Sequence, residues 1–93
     1  MNKVCWITGG GSGIGAELAK KLSQKKYIVF ISGRTKSNLL KTAKNNRLII
    51  PITGDVSKLR DCQKITKLIY KKYKKIDLVI SVSYTHLTLP TKA

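Results

Sequence analysis

The stretch Thr8-Gly9-Gly10-Gly11-Ser12-Gly13-Ile14-Gly15 decides the fold of this chain. It follows an apolar run over residues 3–7 and leads into a helical pattern that places Ile14, Leu18 and Leu22 on one face. The order strand, glycine-rich turn, helix is typical of a phosphate site, because glycines let main-chain N–H groups approach an anion at a positive helix end. The alternative is a glycine loop that serves only as a tight or flexible turn.

Apolar runs and helical patterns alternate along the rest of the chain. Strands are predicted over residues 3–8, 27–32, 47–52 and 76–80, and helices over residues 13–25, 36–44 and 58–74. The strands are apolar almost throughout, which indicates a parallel sheet covered on both faces. We therefore expect an α/β fold, the N-terminal half of a doubly wound parallel-sheet Rossmann fold with the order β-α-β-α-β-α-β. In the strand order 3-2-1-4 the third strand is the sheet edge, where Pro51 is tolerated.

The spacing Thr-Gly-x-x-x-Gly-Ile-Gly resembles the cofactor signature of the short-chain dehydrogenase/reductase family, and the resemblance covers residues 1–80. It implies an oxidoreductase that moves a hydride between a nicotinamide cofactor and a carbonyl or alcohol substrate. It also implies that the threonine closes the first strand and that the turn faces the cofactor's pyrophosphate. The residues that take these roles by resemblance are Thr8, Gly9, Ser12, Gly13, Ile14 and Gly15.

The end of the second predicted strand bears on the choice between NAD and NADP. An acidic side chain there binds the ribose 2′-hydroxyl of NAD, whereas a basic one accommodates the 2′-phosphate of NADP. The chain reads Ile31-Ser32-Gly33-Arg34-Thr35, and Arg34 offers a planar fork of donors to a phosphate. We therefore expect NADP rather than NAD. The alternative is a surface arginine in a loop, and Ser32, Thr35 and Lys36 are further candidates that the sequence does not rank.

The segment Gly54-Asp55-Val56-Ser57 follows the third predicted strand. The family has an Asp-Val or Asp-Leu pair here that contacts the adenine, and its carboxylate receives the exocyclic amino group. The resemblance implies this role for Asp55 and Val56. The competing role is a cap for the next helix, for which Ser57 is the better candidate, and this leaves Asp55 for the ligand.

The resemblance ends after Ile80. The family continues with an Asn-Asn-Ala-Gly-like segment and, further on, with a catalytic Ser and a Tyr-x-x-x-Lys pair, none of which follows here. Tyr70 and Lys74 have this spacing but precede the fourth strand, so we assign no catalytic residue in this chain. The lone histidine, His86, receives no role.

Residues 82–93 resemble the translated read-through of a sequencing-library adapter joined in frame. We therefore expect residues 1–80 to form a partial cofactor-binding domain and residues 81–93 to be a non-native tail, disordered or artefactual. Such a fragment is expected to be inactive. It is also expected to be poorly soluble, because its fourth strand leaves an unpaired sheet edge.

The net charge of +15 over 93 residues would by itself favour a nucleic-acid or membrane partner. The lysines, however, gather near helix C-termini, where cations suit the helix dipole, and no aromatic residues alternate with them. We therefore expect neither a nucleic acid nor a membrane as partner. A small basic nucleic-acid-binding protein and a non-catalytic nucleotide sensor remain the alternative functions.

Cys5 and Cys62 have no metal-type spacing and are interpreted as small core residues in a reducing compartment. With no signal-like segment before the glycines and no membrane-length apolar run, the expected location is the cytoplasm. The intact parent protein is expected to be a homo-oligomer acting on a small-molecule carbonyl or alcohol.

Overall fold

A computed structural model describes residues 2–9, 11 and 13–82. The strands are β1 (Val4–Thr8), β2 (Ile28–Gly33), β3 (Ile49–Thr53) and β4 (Leu78–Ser81), and the helices are α1 (Gly13–Gln24), α2 (Lys36–Ala43) and α3 (Leu59–Tyr73). Every predicted element is present, with bounds within two residues of those expected. The predicted alternation of strands and helices is therefore confirmed.

The strands form one parallel sheet in the order β3-β2-β1-β4. β1 lies in the middle, with Trp6 opposite Phe30 on one side and opposite Val79 on the other. In chain order, β2 pairs with β1 and β3 pairs with β2. The chain then crosses back, and β4 pairs with the other side of β1. This reversal is the point at which open α/β sheets form a crevice outside the carboxyl ends of their strands.

Pro51 lies in the edge strand β3, as predicted. The carbonyl oxygen of Leu48 and the N–H of Gly54 bond to β2. In a parallel strand every second residue bonds to the same neighbour, and Pro51, an odd number of residues from both, belongs to the other set. Its main-chain nitrogen therefore faces away from β2, where a missing N–H group costs no ladder hydrogen bond.

Alternate residues of β1 enter two different cores. Cys5 and Ile7 lie on one face of the sheet in a cluster that includes Ala19 of α1 and Leu39 of α2. Val4 and Trp6 lie on the other face, against Ile65 and Ile69 of α3. Helices thus cover both faces, which explains why the central strands are apolar at consecutive positions.

Helix α1 approaches the sheet through small side chains. Its buried residues are Gly15, Ala19 and Ser23, spaced four apart along one line of the helix. Leu18 and Leu22 are partly buried against the same core, whereas Ile14 is 56% exposed. The predicted helix is present, but of the three residues assigned to one face only Leu18 and Leu22 pack against the core, because the small residues define the line of closest contact.

The two cysteines differ in environment. Burial raises the pKa of the Cys5 thiol to about 11, which keeps it protonated within the core at neutral pH. Cys62 is only half-buried, and its Sγ donates a hydrogen bond to the carbonyl oxygen of Val56 at 3.2 Å. Cys5 is thus a core residue as expected, whereas Cys62 contacts a loop.

Strand β4 ends at Ser81, one residue beyond the predicted Ile80. The Val82 N–H donates to the carbonyl oxygen of Thr8 at 3.0 Å, and its side chain packs beside the cluster of Cys5 and Ile7. The rest of the predicted tail, including His86, lies outside the described residues. Across the described ranges, no helix combines the length and apolar character needed to traverse a bilayer.

Candidate functional site

A cleft of about 450 Å³ opens at the carboxyl ends of the strands. Its walls come from the segments that directly follow β1, β2 and β3 and from the last residue of β4. The lining residues from the predicted set are Gly9, Arg34, Asp55 and Val56. Parallel strands bring their carboxyl ends to one sheet edge, which is why residues so distant in sequence meet here.

The glycine turn after β1 needs residues without side chains for conformational reasons. Gly9 has φ of 80° and Gly13 has φ of 51°, values that side-chain-bearing residues rarely adopt. A Cβ on Gly13 would meet no atom of the described residues within 4 Å, so the backbone conformation rather than crowding favours glycine there. The Gly9 N–H donates to the carbonyl oxygen of Ser32 at 2.8 Å and ties the turn to β2.

Several predicted turn residues support the cleft without lining it. Thr8 closes β1 and is buried, and its Oγ1 finds no hydrogen-bond partner among the described residues. Gly13, Ile14 and Gly15 begin α1 outside the cleft wall. Ser12 lies outside the described residues.

The end of β2 presents Arg34 to the cleft, with its side chain exposed. Ser32, two residues before Arg34, is fully buried, and its Oγ accepts a hydrogen bond from Nε1 of Trp6 at 2.9 Å. Of the two further candidates in this loop, Thr35 lines the cleft and also marks the N-cap position of α2. Lys36 is exposed in the first turn of α2 and does not line the cleft.

Asp55 follows β3 and lines the same cleft as Arg34. Its carboxylate is hydrogen-bonded to a residue of its own loop. Its Oδ1 accepts hydrogen bonds from the Ser57 hydroxyl at 2.6 Å and from the Ser57 N–H at 3.0 Å. These bonds hold the pKa of the Asp55 carboxyl below its usual range, and the positive charges of Arg34 and Lys58 lower it further. Asp55 is therefore ionised at neutral pH.

The expectation that Ser57 caps α3 is wrong. The N-cap position belongs to Lys58, which makes no side-chain capping bond. The carboxylate of Asp55 takes both donors of Ser57, because an aspartate readily accepts hydrogen bonds from the residue two positions later.

Two lining residues from α2 were not identified from the sequence. Asn38 and Leu39 form the wall between the turn after β1 and the turn after β2. A Cβ added to Gly11 would lie 3.1 Å from Cβ of Asn38, and one added to Gly33 would lie 3.4 Å from Cδ2 of Leu39. The signal that the sequence offered was Gly11, because a Cβ there would lie unusually close to α2, whereas the contact at Gly33 is an ordinary one.

Tyr70 and Lys74 are far from this cleft. They belong to the C-terminal end of α3, a helix of 15 residues whose other end adjoins the cleft. At about 1.5 Å per residue, these two ends are about 20 Å apart. Lys74 has φ of 65°, and its N–H closes the helix on the carbonyl oxygen of Tyr70 at 2.9 Å. Among the described residues, the spacing of Tyr70 and Lys74 therefore corresponds to the hydrogen bond that ends α3.

Comparison with known proteins agrees with this geometry. The family model for short chain dehydrogenase matches residues 3–84, which extends past the expected limit at residue 80. A dehydrogenase/reductase SDR family protein 7-like from Dictyostelium discoideum is 39% identical over 88 residues, covering 85% of this chain and 28% of the relative. The chain thus spans between 24% and 37% of the length of this and other curated relatives.

Two solved structures show the same fold. A 3-ketoacyl-(acyl-carrier-protein) reductase from Brucella melitensis, complexed with NADH, is 29% identical with a TM-score of 0.78, covering 83% of this chain and 32% of that one. A variant of actinorhodin polyketide ketoreductase with NADPH is 26% identical with a TM-score of 0.81, covering 87% of this chain and 33% of that one. With the glycine turn and the parallel sheet in place, the family match over most of its length shows that this chain belongs to the short-chain dehydrogenase family.

Proposed function

We propose that this chain is the adenosine-binding part of an NADP-preferring oxidoreductase that moves a hydride between NADP(H) and a carbonyl or alcohol substrate. The observation that carries the proposal is the cleft itself, where the turn at Gly9, the cation of Arg34 and the anion of Asp55 line one space. A volume of about 450 Å³ is in the range of small-molecule sites. The relatives with bound NADH and NADPH support a nicotinamide cofactor and leave the choice between the two open.

The pyrophosphate of the cofactor is assigned to the turn between β1 and α1. The positive φ angles at Gly9 and Gly13 give this turn a conformation in which main-chain N–H groups can converge on an anion. The positive end of the α1 dipole adds to this attraction. Thr8, Gly9, Ser12, Gly13, Ile14 and Gly15 are the residues proposed to form and support this part of the site.

The 2′-phosphate is assigned to Arg34. Its exposed guanidinium borders the cleft, and Gly33, directly before it, carries no acidic side chain that would repel a phosphate. A guanidinium can donate two parallel hydrogen bonds to a phosphate, which makes arginine better suited than lysine to this task. NADP is therefore the preferred cofactor in this proposal.

The adenine is assigned to Asp55 and Val56. Both hydrogen bonds of the Asp55 carboxylate to Ser57 fall on Oδ1, so Oδ2 is the oxygen proposed to accept the exocyclic amino group. The lowered pKa of Asp55 keeps it an acceptor at neutral pH. Val56 supplies an apolar contact for the base at the same wall of the cleft.

The cofactor, when bound, supplies the hydride chemistry, and the residues of this chain bind and orient it. The catalytic residues are proposed to lie in sequence that this chain does not contain, so the chain alone binds the cofactor without turnover. The intact protein is proposed to be a cytoplasmic homo-oligomer. Residues 1–80 belong to its cofactor-binding domain in this proposal, and residues 81–93 form a non-native tail, of which residues 82–93 resemble translated adapter sequence. The underlying DNA tests this origin, and codons across residues 82–91 that do not match a sequencing-library adapter would overturn it.

The test is a pair of charge-reversal variants. NADPH and NADH affinities would be measured by fluorescence titration for the parent chain, Arg34→Asp and Arg47→Asp. Arg47 is a matched control, because it precedes β3 at the end of the sheet opposite to the cleft. We expect Arg34→Asp to weaken NADPH binding by about 10- to 100-fold, the effect of losing hydrogen bonds to a charged group, and to change NADH binding much less. An unchanged preference in Arg34→Asp would refute the assignment of NADP.

A further inference from the structure

The loop Gly54–Ser57, here called the adenine loop, rests on the first turn of α3. The Asp55 N–H donates to Oδ2 of Asp61 at 2.8 Å. The next residue of the helix, Cys62, donates from Sγ to the carbonyl oxygen of Val56 at 3.2 Å. Two adjacent residues of α3 thus hold the main chain of the two adjacent loop residues proposed to contact the adenine.

The loop also lies close to the helix by packing. A Cβ added to Gly54 would be 3.0 Å from Cδ1 of Ile65 and 3.7 Å from Cβ of Asp61. A side chain at position 54 would therefore require the Ile65 side chain or the loop to shift by a few tenths of an ångström. The absence of a Cβ there permits the short approach that the two hydrogen bonds need.

The bonds from α3 involve only main-chain atoms of the loop. The side chains of Asp55 and Val56 are left to line the cleft, whereas Asp61 and Cys62 do not line it. This separates two tasks: the helix determines where the loop lies, and the loop presents the side chains.

We propose that Asp61 and Cys62 are positioning residues for adenine recognition, acting through the main chain of Asp55 and Val56. This inference rests on the proposed function of the cleft. Its physical basis is the narrow distance range of a hydrogen bond, because a carboxylate displaced by about 1 Å no longer accepts well from the amino group of the base. Asp61 is the stronger of the two residues, since its bond to the loop involves a charged acceptor and a thiol is a weak donor.

The experiment compares two ligands that differ at the atom in question. NADPH and its hypoxanthine analogue, in which oxygen replaces the exocyclic amino group, would be titrated against the full chain and its variants. The parent chain is expected to prefer NADPH by about tenfold, the effect of one hydrogen bond to a charged group. Asp61→Ala is expected to lower this preference to less than about threefold, and Cys62→Ala to lower it by a smaller factor.

Two controls separate positioning from general damage. Asp61→Asn retains an acceptor oxygen for the Asp55 N–H and is expected to restore the parental preference. Gln63→Ala changes the exposed neighbour on the same helix and is expected to leave the preference unchanged. Because the preference is a ratio measured on one sample, a smaller folded fraction does not alter it.

Each outcome bears on a different statement. A parent chain that does not bind NADPH contradicts the proposed function. A parent chain that binds both ligands equally contradicts the adenine role of Asp55. An unchanged ratio in Asp61→Ala, including an equal loss of affinity for both ligands, overturns the positioning role. If Asp61→Ala does not fold, an unchanged ratio in Cys62→Ala overturns it.

Discussion

The indole Nε1 of Trp6 donates a hydrogen bond to Oγ of Ser32 across neighbouring strands, at 2.9 Å. Trp6 is 7% exposed and Ser32 is fully buried, so this bond lies within the core. The carbonyl oxygen of the same serine accepts the N–H of Gly9 at 2.8 Å. Ser32 therefore connects the buried tryptophan to the glycine turn and so links the core to the cleft.

Replacing Ser32 by alanine is expected to destabilise the chain by about 1–3 kcal/mol, because the buried indole N–H loses its acceptor. The lone tryptophan reports unfolding directly, so urea titration followed by its fluorescence measures the free energy of unfolding. Ser37→Ala, at an exposed position of α2, is the control and should change this free energy by less than about 0.5 kcal/mol. Equal stabilities of the two variants would contradict the role of the Trp6 bond.

Two glycines of the site are expected to respond differently to alanine. Gly13→Ala should cost about 1–2 kcal/mol of stability, because its φ of 51° is left-handed although its surroundings are open. Gly33→Ala is the matched control, since Gly33 has no left-handed φ and its Cβ would meet Leu39 at an ordinary 3.4 Å. Its stability should stay within about 1 kcal/mol of the parent. Similar urea midpoints for both variants would show that the backbone at Gly13 is not strained by a side chain.

Stability is expected to depend on pH through Asp77. The Val4 N–H, at 2.7 Å from Oδ2, and then Lys75, at 3.1 Å, lower the pKa of Asp77 from its ordinary 3.8. A carboxyl with a lowered folded pKa contributes stability above about pH 4 that is lost as the pH falls through the folded value. Asp77→Asn should therefore reduce the loss of stability between about pH 7 and pH 3, as measured by urea midpoints.

Lys75→Gln is the companion variant for this measurement. It removes the ion pair but leaves the hydrogen bond from Val4, which is the larger cause of the lowered pKa. Its pH dependence should thus stay closer to that of the parent than to that of Asp77→Asn. A larger change in Lys75→Gln than in Asp77→Asn would reverse this order of causes.

The edge strand β4 is expected to promote self-association. Val79 is 55% exposed, and its strand is the last one in the sheet that the described residues form. Exposed apolar edge strands invite pairing with another chain, and a lysine there opposes it. Val79→Lys should lower the aggregated fraction measured by light scattering. Leu59→Lys, at a 73% exposed position of α3, makes a similar change away from the edge and should have less effect.

Much of the fold could be predicted because it depends on local patterns. The glycine turn between an apolar run and a helical pattern indicated β1 and α1, and Pro51 was consistent with an edge strand, as the sheet order confirms. Arg34 was assigned from its place at the end of the second strand and Asp55 from the resemblance to the family, and the structure brings both to one cleft because both follow parallel strands. Their roles toward a cofactor stay predictions.

The errors fall where a contact between distant residues competes with a local preference. Ser57 has a good capping side chain, yet Asp55 takes its donors and Lys58 occupies the cap position. Ile14 fits an apolar helical face, yet α1 packs through Gly15 and its small neighbours instead. In both cases the outcome depends on the distance between two elements, which a one-dimensional pattern does not contain.

The sequence by itself determined the order of the elements, the parallel sheet, the family and the residues at the carboxyl ends of the strands. The elements, the sheet and these positions follow from periodicity, from turn chemistry and from the rule that parallel strands end at one edge, whereas the family was indicated by the resemblance of the glycine spacing to its cofactor signature. Only the tertiary structure decided that Asn38 and Leu39 wall the cleft, that Trp6 bonds Ser32, and that Asp61 holds the main chain of Asp55. The physical reason is that hydrogen bonds and close contacts require positions within a few tenths of an ångström, and those positions are set by the packing of α2 and α3 against the sheet.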